Sequence, residues 1–311
     1  MIVMNKRQKQ VQKSLLKDEM EVLKNIERAY KDAIVDIDKF IHELLSRKDV
    51  ENLQSIIYQL KYQTHIKKEL NEMLNVLHKK NYDTIDEYLN ECYKNAHIGA
   101  LYDLQGQGVP LILPLDQEQI ISAVTLNSKL SAPLYNALGY NVEVLKIEVA
   151  RELSRGVAQS LSYQEITRNI QHTTDIDKNK AMRIAKTEGH RISQEATYNV
   201  QVRAKERGAD IVKQWDSTLD SRTRDSHRKL DGEIRELDEK FSNGLMYPSD
   251  PNGTAGETIN CRCALLQRAK WNLTDGEFTK QVRVNGKNEL HHFEDIASYN
   301  KFKEAFWGVK Y

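Results

Sequence analysis

Apolar residues recur alternately four and three positions apart over the first part of the chain. The positions are Leu16, Met20, Leu23, Tyr30, Ile34, Ile37, Ile41 and Leu44, interrupted once by the polar Glu27. On an α-helix this spacing aligns the side chains in one stripe, which a second helix has to cover if the stripe is to leave water. The pattern predicts a long helix that packs lengthwise against another.

A second amphipathic run supplies the partner helix. Its apolar positions are Leu53, Ile57, Leu60, Ile66, Leu70, Met73 and Leu77, and a polar turn over residues 47–49 separates it from the first run. A third helix is predicted over Asp83–Ala96, with Cys92 on its apolar face as a buried thiol. Residues 1–104 are therefore predicted to form a hairpin of long amphipathic helices.

Glycine and proline interrupt this helical pattern. Residues 105–110 contain two glycines and a proline, which cannot sustain a helix. Residues 105–148 are interpreted as a connecting helical segment. It contains the start of two predicted helices, 116–127 and 142–157, with Pro133 and Gly139 between them.

The second half changes from helical to strand-like periodicity. A capping box of Ser162 and Glu165 predicts a short helix, and a longer one is predicted from Asp175 or Asp177 to a stop at Gly208. Three short β-type runs follow between polar loops: Ile211–Trp215, Glu233–Arg235 and Cys261–Leu266. The sequence predicts an α+β fold, with a small α+β module over 149–268 and a tail, 269–311, that packs on it.

The charge balance excludes a strongly basic or acidic protein. Lys and Arg number 46 and Asp and Glu 45, for a formal net charge of +1, so no overall field draws the molecule to DNA or to an anionic membrane. No apolar run reaches the roughly 18 residues that a membrane span requires. The three cysteines do not form an extracellular disulfide pattern. We expect a soluble protein, made in a reducing cytoplasm and without membrane contact.

An ordered set of short motifs distinguishes the second half. In chain order they are residues 186–188 (KTE), Trp215, residues 220–227 (DSRTRDSH), residues 230–232 (LDG), residues 247–251 (YPSDP) and residues 259–263 (INCRC). Together, and in this order, they resemble the C-terminal domain of Mu F-like phage minor head proteins, the head morphogenesis family. The resemblance covers roughly residues 149–268. One departure is Lys186, where the family pattern leads us to expect arginine.

The resemblance implies a structural protein and not an enzyme. Members of the family are built into procapsids in few copies, associate with the portal protein, and in some phages bind DNA and leave with the genome at ejection. The expected partners are therefore the portal protein, the scaffold or major capsid protein, and double-stranded DNA. The expected location is the virion interior, after assembly in the host cytoplasm. Apart from zinc, no cofactor is expected.

The motif residues allow two interpretations. Structural ion pairs and hydrogen bonds that hold loops in place are predicted for Glu188, Trp215, Asp220, Arg222, Arg224 and His227. The alternative is an enzyme: a metal-dependent nuclease with Asp216, Asp220 and His227 as ligands, or a toxin, because Mu F-like domains also precede toxin domains. No second carboxylate cluster with ligand spacing accompanies these residues, which favours the structural network.

Two cysteines and a histidine form the candidate metal site. Cys261 and Cys263 are separated by one residue, so on a strand both thiols point to one face, where His227 and an acidic residue complete a tetrahedral zinc site. Zinc sites more commonly have about two to four intervening residues, and the alternative is a pair of thiols packed on Trp215. His172 and His190 lack partners at ligand spacing and are interpreted as solvated or hydrogen-bonded.

Two groups of basic residues are candidates for DNA contact. One is at the N-terminus and the other ends the long helix: Lys6, Arg7, Lys9, Lys13 and Lys17, and Arg203, Lys205 and Arg207. The second group also fits the negative end of a helix dipole, which is a purely structural explanation. A cellular coiled-coil adaptor would account for the helices but not for the motifs.

Overall fold

The computed structural model describes residues 4–46, 60–126, 131–159, 161–273, 278–284 and 287–307. The chain forms two compact units, each assembled from separate segments. The sheet unit comprises Met1–Asp18, Leu89–Ser128 and Thr187–Tyr311, and the helical unit comprises Glu19–Tyr88 and Lys129–Lys186. The consecutive domain boundaries assigned from the sequence stay predictions.

Helices form the first two thirds of the fold. In chain order they are α1 (Lys6–Ser46), α2 (Leu60–Gly106), α3 (Gln117–Ile121), a π-helical turn (Ser122–Leu126), α4 (Ser131–Ala158) and α5 (Tyr163–Glu206). Asp116 caps α3, because its carboxylate accepts a hydrogen bond from the Glu118 N–H at 3.0 Å. The helices α1, α2 and α5 each contribute residues to both units. Within the described ranges, no helix is long and apolar enough to cross a bilayer.

α1 and α2 form the predicted antiparallel hairpin. In the helical unit, Lys80 Nζ donates to Asp32 at 2.8 Å, and the ring centroids of Phe40 and His65 lie 6.3 Å apart. In the sheet unit, the Tyr102 hydroxyl donates to Gln10 at 3.1 Å. Positions on α2 therefore decrease as positions on α1 increase, which confirms the hairpin.

The apolar stripe of α1 differs from the predicted one at its start. Leu16 and Met20 are 57% and 59% exposed, so their assignment to the core was wrong. The buried apolar side chains are instead Val22, Ile26, Ala29, Tyr30, Ala33, Ile37 and Ile41. Most of these lie four or seven positions apart, as one face of a straight helix requires, and not in a strict heptad. The Leu44 side chain, Leu53, Ile57 and residues 47–49 lie outside the part described.

The chain stays helical across three predicted breaks. The predicted helix Asp83–Ala96 is an internal part of α2, Gly139 lies within α4, and no new helix begins at Asp175 or Asp177. The capping box itself is confirmed, since the Ser162 N–H donates to Glu165 at 2.9 Å. It opens the whole of α5, not a short helix. The breaks were predicted from weak local preferences, which tertiary packing overrides.

A small antiparallel sheet follows α5, which Gly208 ends with a φ of 87°. Its elements are β1 (Ile211–Asp216), α6 (Asp225–Leu230), β2 (Ile234–Arg235), α7 (Ala255–Thr258) and β3 (Ala264–Ala269). The strand order is β2-β1-β3, with Trp215 opposite Leu265. The predicted α+β class is confirmed. β3 begins at Ala264 and not at Cys261, so both cysteines precede the strand.

The tail contains three elements that the sequence did not predict. β4 (Phe278–Val284) and β5 (Lys287–Phe293) pair antiparallel, and α8 (Ile296–Trp307) follows them. Aromatic rings join the hairpin to the helix, with Phe293 centred 4.9 Å from Tyr299 and 5.2 Å from Phe302. Apolar and polar residues alternate only weakly along β4 and β5, which include Lys280 and Lys287, so the sequence does not predict this hairpin.

Candidate functional site

Trp215 forms the apolar base of the site. β1 places the fully buried indole in a core cluster with Leu230, Phe241 and both cysteines of the sheet unit. The indole N–H donates to Ser217 Oγ at 3.1 Å, so its polar atom is satisfied. The indole ring also meets the His227 ring nearly edge-on, with 5.4 Å between centroids. Trp215 therefore holds the histidine and the thiols on one side of a packed core.

His227 and the two cysteines meet at this base. α6 supplies the buried His227, and the segment before β3 supplies Cys261 and Cys263. His227 Nδ1 lies 3.2 Å from Cys263 Sγ and 3.6 Å from Cys261 Sγ. The three possible ligand atoms all lie within 4.8 Å of one another. The structure thus brings together the three residues predicted to bind metal.

Glu257 contacts the other nitrogen of the same imidazole. Its carboxylate, on α7, lies 2.8 Å from His227 Nε2. Burial lowers the pKa of His227, but hydrogen bonding and charge from Cys261, together with Glu257, outweigh burial and leave that pKa raised. The sequence predicts an acidic residue near the histidine but does not identify Glu257, because the segment between them has no regular spacing.

The two thiols differ in acidity. A hydrogen bond from Cys263 holds the pKa of Cys261 well below its usual range, and burial raises the pKa of Cys263 well above it. Cys261 is therefore the thiol that ionises first. Arg262, between them, points away from this core, since its side chain is 44% exposed.

Arg262 and Asp220 connect the cysteine segment to the preceding loop. The guanidinium donates to the two Asp220 carboxylate oxygens at 2.6 and 2.7 Å, a bidentate pair. The same carboxylate accepts the Arg222 N–H at 2.9 Å. Hydrogen bonding from Arg262 lowers the pKa of Asp220 to about 2. Asp220 was predicted to belong to the structural network, but its partner Arg262 was not, because their separation along the chain follows no periodic pattern.

Replacing Asp220 by asparagine is expected to lower stability in a pH-dependent way. The folded-state pKa of about 2 lies below an unfolded value of about 3.9. The ion pair therefore stabilises the protein above about pH 4 and loses its effect as pH falls toward the folded pKa. Because Arg262 is partly exposed, we expect a difference of about 1 kcal/mol at neutral pH.

The measurement is urea unfolding of wild type and Asp220→Asn between about pH 6 and pH 3. The difference between the two proteins should shrink as pH falls. Asp225→Asn is the control, since the Asp225 side chain is 80% exposed. A difference that stays constant over this range would contradict a stabilising Asp220 carboxylate.

The other two arginines of the predicted network differ from each other. Arg224 donates from its guanidinium to the Ile259 carbonyl and so holds the segment that leads to the cysteines. Arg222 is exposed, and it contributes to the network through the backbone N–H that Asp220 accepts. The side-chain chemistry at Arg222 therefore matters less than its position in the loop.

Glu188 belongs to a buried ion triad on α5. Arg191 donates to Glu188 at 2.9 Å, to Glu195 at 2.7 Å and to the Ala123 carbonyl at 2.8 Å. The side chains of Arg191 and both glutamates are each 5% exposed. The guanidinium thus ties α5 to the turn after α3. Lys186, the departure from the family pattern, is exposed and takes no part in these contacts.

Asp231 is the centre of a second buried network. Its carboxylate accepts two hydrogen bonds from Lys280, both at 2.7 Å, and one from the Ser217 N–H at 2.7 Å. The Tyr299 hydroxyl also donates to it. Lys280 is 3.2 Å from Asp216, the third proposed nuclease ligand. Asp231 therefore fastens β4 and α8 to the sheet, and Asp216 serves the same contact.

A third polar network joins the start of α1 to β3. Gln8 and Gln107 both donate to Asp103, at 2.7 and 3.0 Å. Arg268 donates to Gln8 at 3.2 Å and to Gln214 on β1 at 2.7 Å. These side chains are buried. Hydrogen-bonded polar groups thus connect α1 and α2 to β1 and β3, which apolar periodicity cannot predict.

The two basic groups have different surroundings. Lys6, Lys9, Lys13 and Lys17 are exposed along the start of α1. Arg7 instead stacks on Tyr102, with its guanidinium carbon 4.2 Å from the ring centroid. At the end of α5, Lys205 pairs with Glu236 at 3.0 Å and Arg203 donates to the Pro114 carbonyl at 3.1 Å, whereas Arg207 is exposed.

Comparison with known proteins shows which family and which proteins the chain is similar to. The family model described as Phage Mu protein F like protein matches residues 147–266. The chain is 28% identical over 310 residues to NAD(+)-arginine ADP-ribosyltransferase EFV of Enterococcus faecalis, a match that covers 96% of this chain and 60% of that protein. It is 27% identical over 245 residues to minor head protein GP7 of Bacillus phage SPP1, covering 75% of this chain and 73% of GP7. No solved structure matches the chain.

The matched range contains the Glu188 triad, Trp215, Asp220 and the cysteine cluster. These are the motifs on which the resemblance was predicted. Residues 147–266 therefore match the Phage Mu protein F like family, and the resemblance predicted from the sequence is confirmed.

Proposed function

We propose that the chain is a structural protein of a tailed-phage head, incorporated at the portal inside the procapsid, and that its Mu F-like domain is a scaffold without catalytic activity. The family match and the similarity to minor head protein GP7 support the location. The observation that carries the scaffold role is that Asp220, Arg224 and Glu188 each bind groups of the same chain. Side chains committed in this way hold loops and are not free to bind a substrate.

Reconstitution of procapsids tests the head location and the partner. The chain is co-expressed with the major capsid, scaffold and portal proteins of its own phage, and assembled procapsids are purified and their proteins quantified. We expect the chain in these particles in few copies, and its loss when the portal is omitted. Equal incorporation without the portal would show that scaffold or capsid protein recruits it. Absence from complete particles would contradict a head protein.

We propose that the N-terminal lysines contact double-stranded DNA. Residues 6–17 contain no acidic residue, and Lys9, Lys13 and Lys17 are exposed. The helix dipole disfavours positive charge in the first turn and does not extend to Lys13 and Lys17, so helix stability does not explain this group. Helix stability does explain the positions of Arg203 and Lys205, because both lie in the last turn of α5 and already have partners.

Replacing Lys9, Lys13 and Lys17 together by glutamine is expected to weaken DNA binding and its dependence on salt. For every lysine that binds a phosphate, its replacement should lower the slope of log affinity against log salt by about one. Gel-shift titrations at several salt concentrations measure this slope. Lys205→Gln is the matched control and should leave it unchanged. Absence of retardation of wild type at low salt would contradict DNA binding.

The three residues of the nuclease alternative each contact a different group of side chains. Asp216 pairs with Lys280, Asp220 with Arg262, and His227 with the thiols and Glu257. A metal-dependent nuclease requires carboxylates that converge on one ion. We therefore expect no cleavage of DNA by the pure protein with Mg²⁺ or Mn²⁺. Cleavage that Asp220→Asn abolishes would contradict the scaffold role.

ADP-ribosyl transfer is a second candidate function because of the similarity to the Enterococcus transferase. The chain spans 60% of the length of that protein, so its activity cannot be assigned to the shared part. Incubation of the pure chain with NAD⁺ and an arginine-containing acceptor distinguishes the two functions. A scaffold releases no nicotinamide above the buffer rate, whereas a transferase releases it and labels the acceptor.

A further inference from the structure

An unsatisfied histidine nitrogen lies beside the cysteine cluster. His190 is on α5, and its Nε2 is buried without a hydrogen-bond partner among the described residues. His190 is close enough to Cys261 for its imidazole to contribute to lowering the pKa of that thiol. Buried polar atoms in folded proteins normally have a partner, so an orphaned one indicates an absent ligand, ion or water.

We propose that one Zn²⁺ ion binds to His227, Cys261, Cys263 and His190. The first three already place their ligand atoms within 4.8 Å of one another, and all three residues are buried. Two thiolates and two imidazoles are a common tetrahedral zinc set. His190 is not one of the three residues whose ligand atoms lie within 4.8 Å of one another, so its ring has to move toward them to complete the site.

The surroundings of His227 fit a metal ligand. Nδ1 faces both sulfurs, and Nε2 faces the Glu257 carboxylate at 2.8 Å. Histidines that bind metal through one nitrogen almost always donate the other N–H to a carboxylate, carbonyl or water, which sets the tautomer and the ring orientation. Glu257 is thus the outer partner of the zinc ligand and not a ligand itself.

Zinc would explain how one short-spaced cysteine pair can organise this part of the domain. The four ligands come from α5, from α6 and from the segment before β3. A closed four-ligand site joins these three elements and leaves no position for a catalytic water, which makes the site structural. Binding displaces the thiol protons to solvent, and zinc undergoes no redox change.

Metal analysis of untagged protein tests the proposal. The full chain is purified in the presence of zinc, dialysed against metal-free buffer and measured by mass spectrometry of the metal. We expect about one zinc per chain. Cobalt added to metal-stripped wild type should give the strong visible bands of a tetrahedral ion and a sulfur-to-cobalt charge-transfer band. This second measurement needs no variant and so does not depend on whether a variant folds.

Variants identify the ligands. Cys261→Ser and Cys263→Ser should lose the metal, and His190→Ala should bind it much more weakly. Glu257→Gln should weaken binding about 10- to 100-fold. His172→Ala, an exposed histidine on the same helix, and Cys92→Ala, a buried thiol elsewhere, are the matched controls and should keep one zinc.

Two results would overturn the proposal. Folded wild type with far less than one zinc per chain and no tetrahedral cobalt spectrum would remove the site. Equal zinc affinity in His190→Ala and His172→Ala would remove the fourth ligand. Neither result bears on incorporation into procapsids, so the zinc site and the proposed head function can fail independently.

Discussion

Replacing Arg191 by leucine is expected to destabilise the sheet unit by about 3–5 kcal/mol. The change removes a buried guanidinium and leaves two buried glutamates, Glu188 and Glu195, without their shared cation. It also leaves the Ala123 carbonyl without its donor. An uncompensated buried carboxylate must either stay charged at low dielectric or take up a proton, and both cost free energy.

Urea unfolding followed by circular dichroism measures this destabilisation. The control is a triple variant in which Glu188→Gln and Glu195→Gln accompany Arg191→Leu. Because it removes the unpaired charges, it should recover a large part of the stability that the single variant lacks. A single variant as stable as wild type would show that the triad contributes nothing. Failure of the triple variant to recover would assign the destabilisation to packing of the arginine stem.

Replacing Asp231 by alanine is expected to release the tail from the sheet. The carboxylate is fully buried and accepts from Lys280, Tyr299 and the Ser217 N–H. Without it, Asp216 is the one carboxylate among the described residues that still pairs with the Lys280 ammonium. Breaking a buried charge pair from one side costs about 3–5 kcal/mol. Because this network holds the tail on the sheet, we expect the loss of stability to appear as local opening of the tail.

Amide hydrogen exchange measures that local opening. Amides of β4, β5 and α8 should exchange on the order of a hundredfold faster in Asp231→Ala than in wild type, as 3 kcal/mol implies. Amides of α1 and α2 in the helical unit should be unaffected. Asp238→Ala, whose carboxylate is 85% exposed, is the matched control. A uniform increase across the chain would indicate global destabilisation, which would contradict a local role for Asp231.

Three polar networks of the sheet unit are built in the same way. Each pairs a buried charge with groups from a distant part of the chain: Arg191 with Ala123, Arg268 with Gln8, and Asp231 with Lys280. A small sheet that buries polar side chains such as Gln214 and Arg268 needs hydrogen-bond partners for them in addition to buried apolar area. Specific hydrogen bonds supply the missing constraint, and they also fix the loops that carry the family motifs.

The helical part of the fold was predictable because its determinants are local. Repeats of about 3.6 residues predicted α1, α2 and their hairpin, and the capping box of Ser162 and Glu165 was visible as a four-residue pattern. What failed was the register at Leu16 and Met20, and the helix breaks near Asp83 and Gly139. Which face of a helix is buried depends on the neighbour that covers it, and no single segment contains that information.

The sequence predicted which residues form the candidate site, but not which side chains those residues contact. Ordered motifs indicated the family and singled out His227, Cys261 and Cys263, since their chemistry is recognisable in isolation. Arg262 as the partner of Asp220, and Glu257 beside His227, required the folded loops. The same holds for His190, which sequence analysis interpreted as solvated or hydrogen-bonded and which the fold places beside Cys261.

The sequence by itself determined the long helices of the first half, the α+β class, the resemblance to the Mu F-like family and the candidate metal ligands, since each of these follows from the identity and short-range spacing of residues. The tertiary structure alone decided which polar group meets which, as for Asp231 with Lys280 or Arg191 with Ala123. Such pairs join segments far apart in the chain. Their stability comes from burial that exists only after folding, so nothing in the local sequence records them.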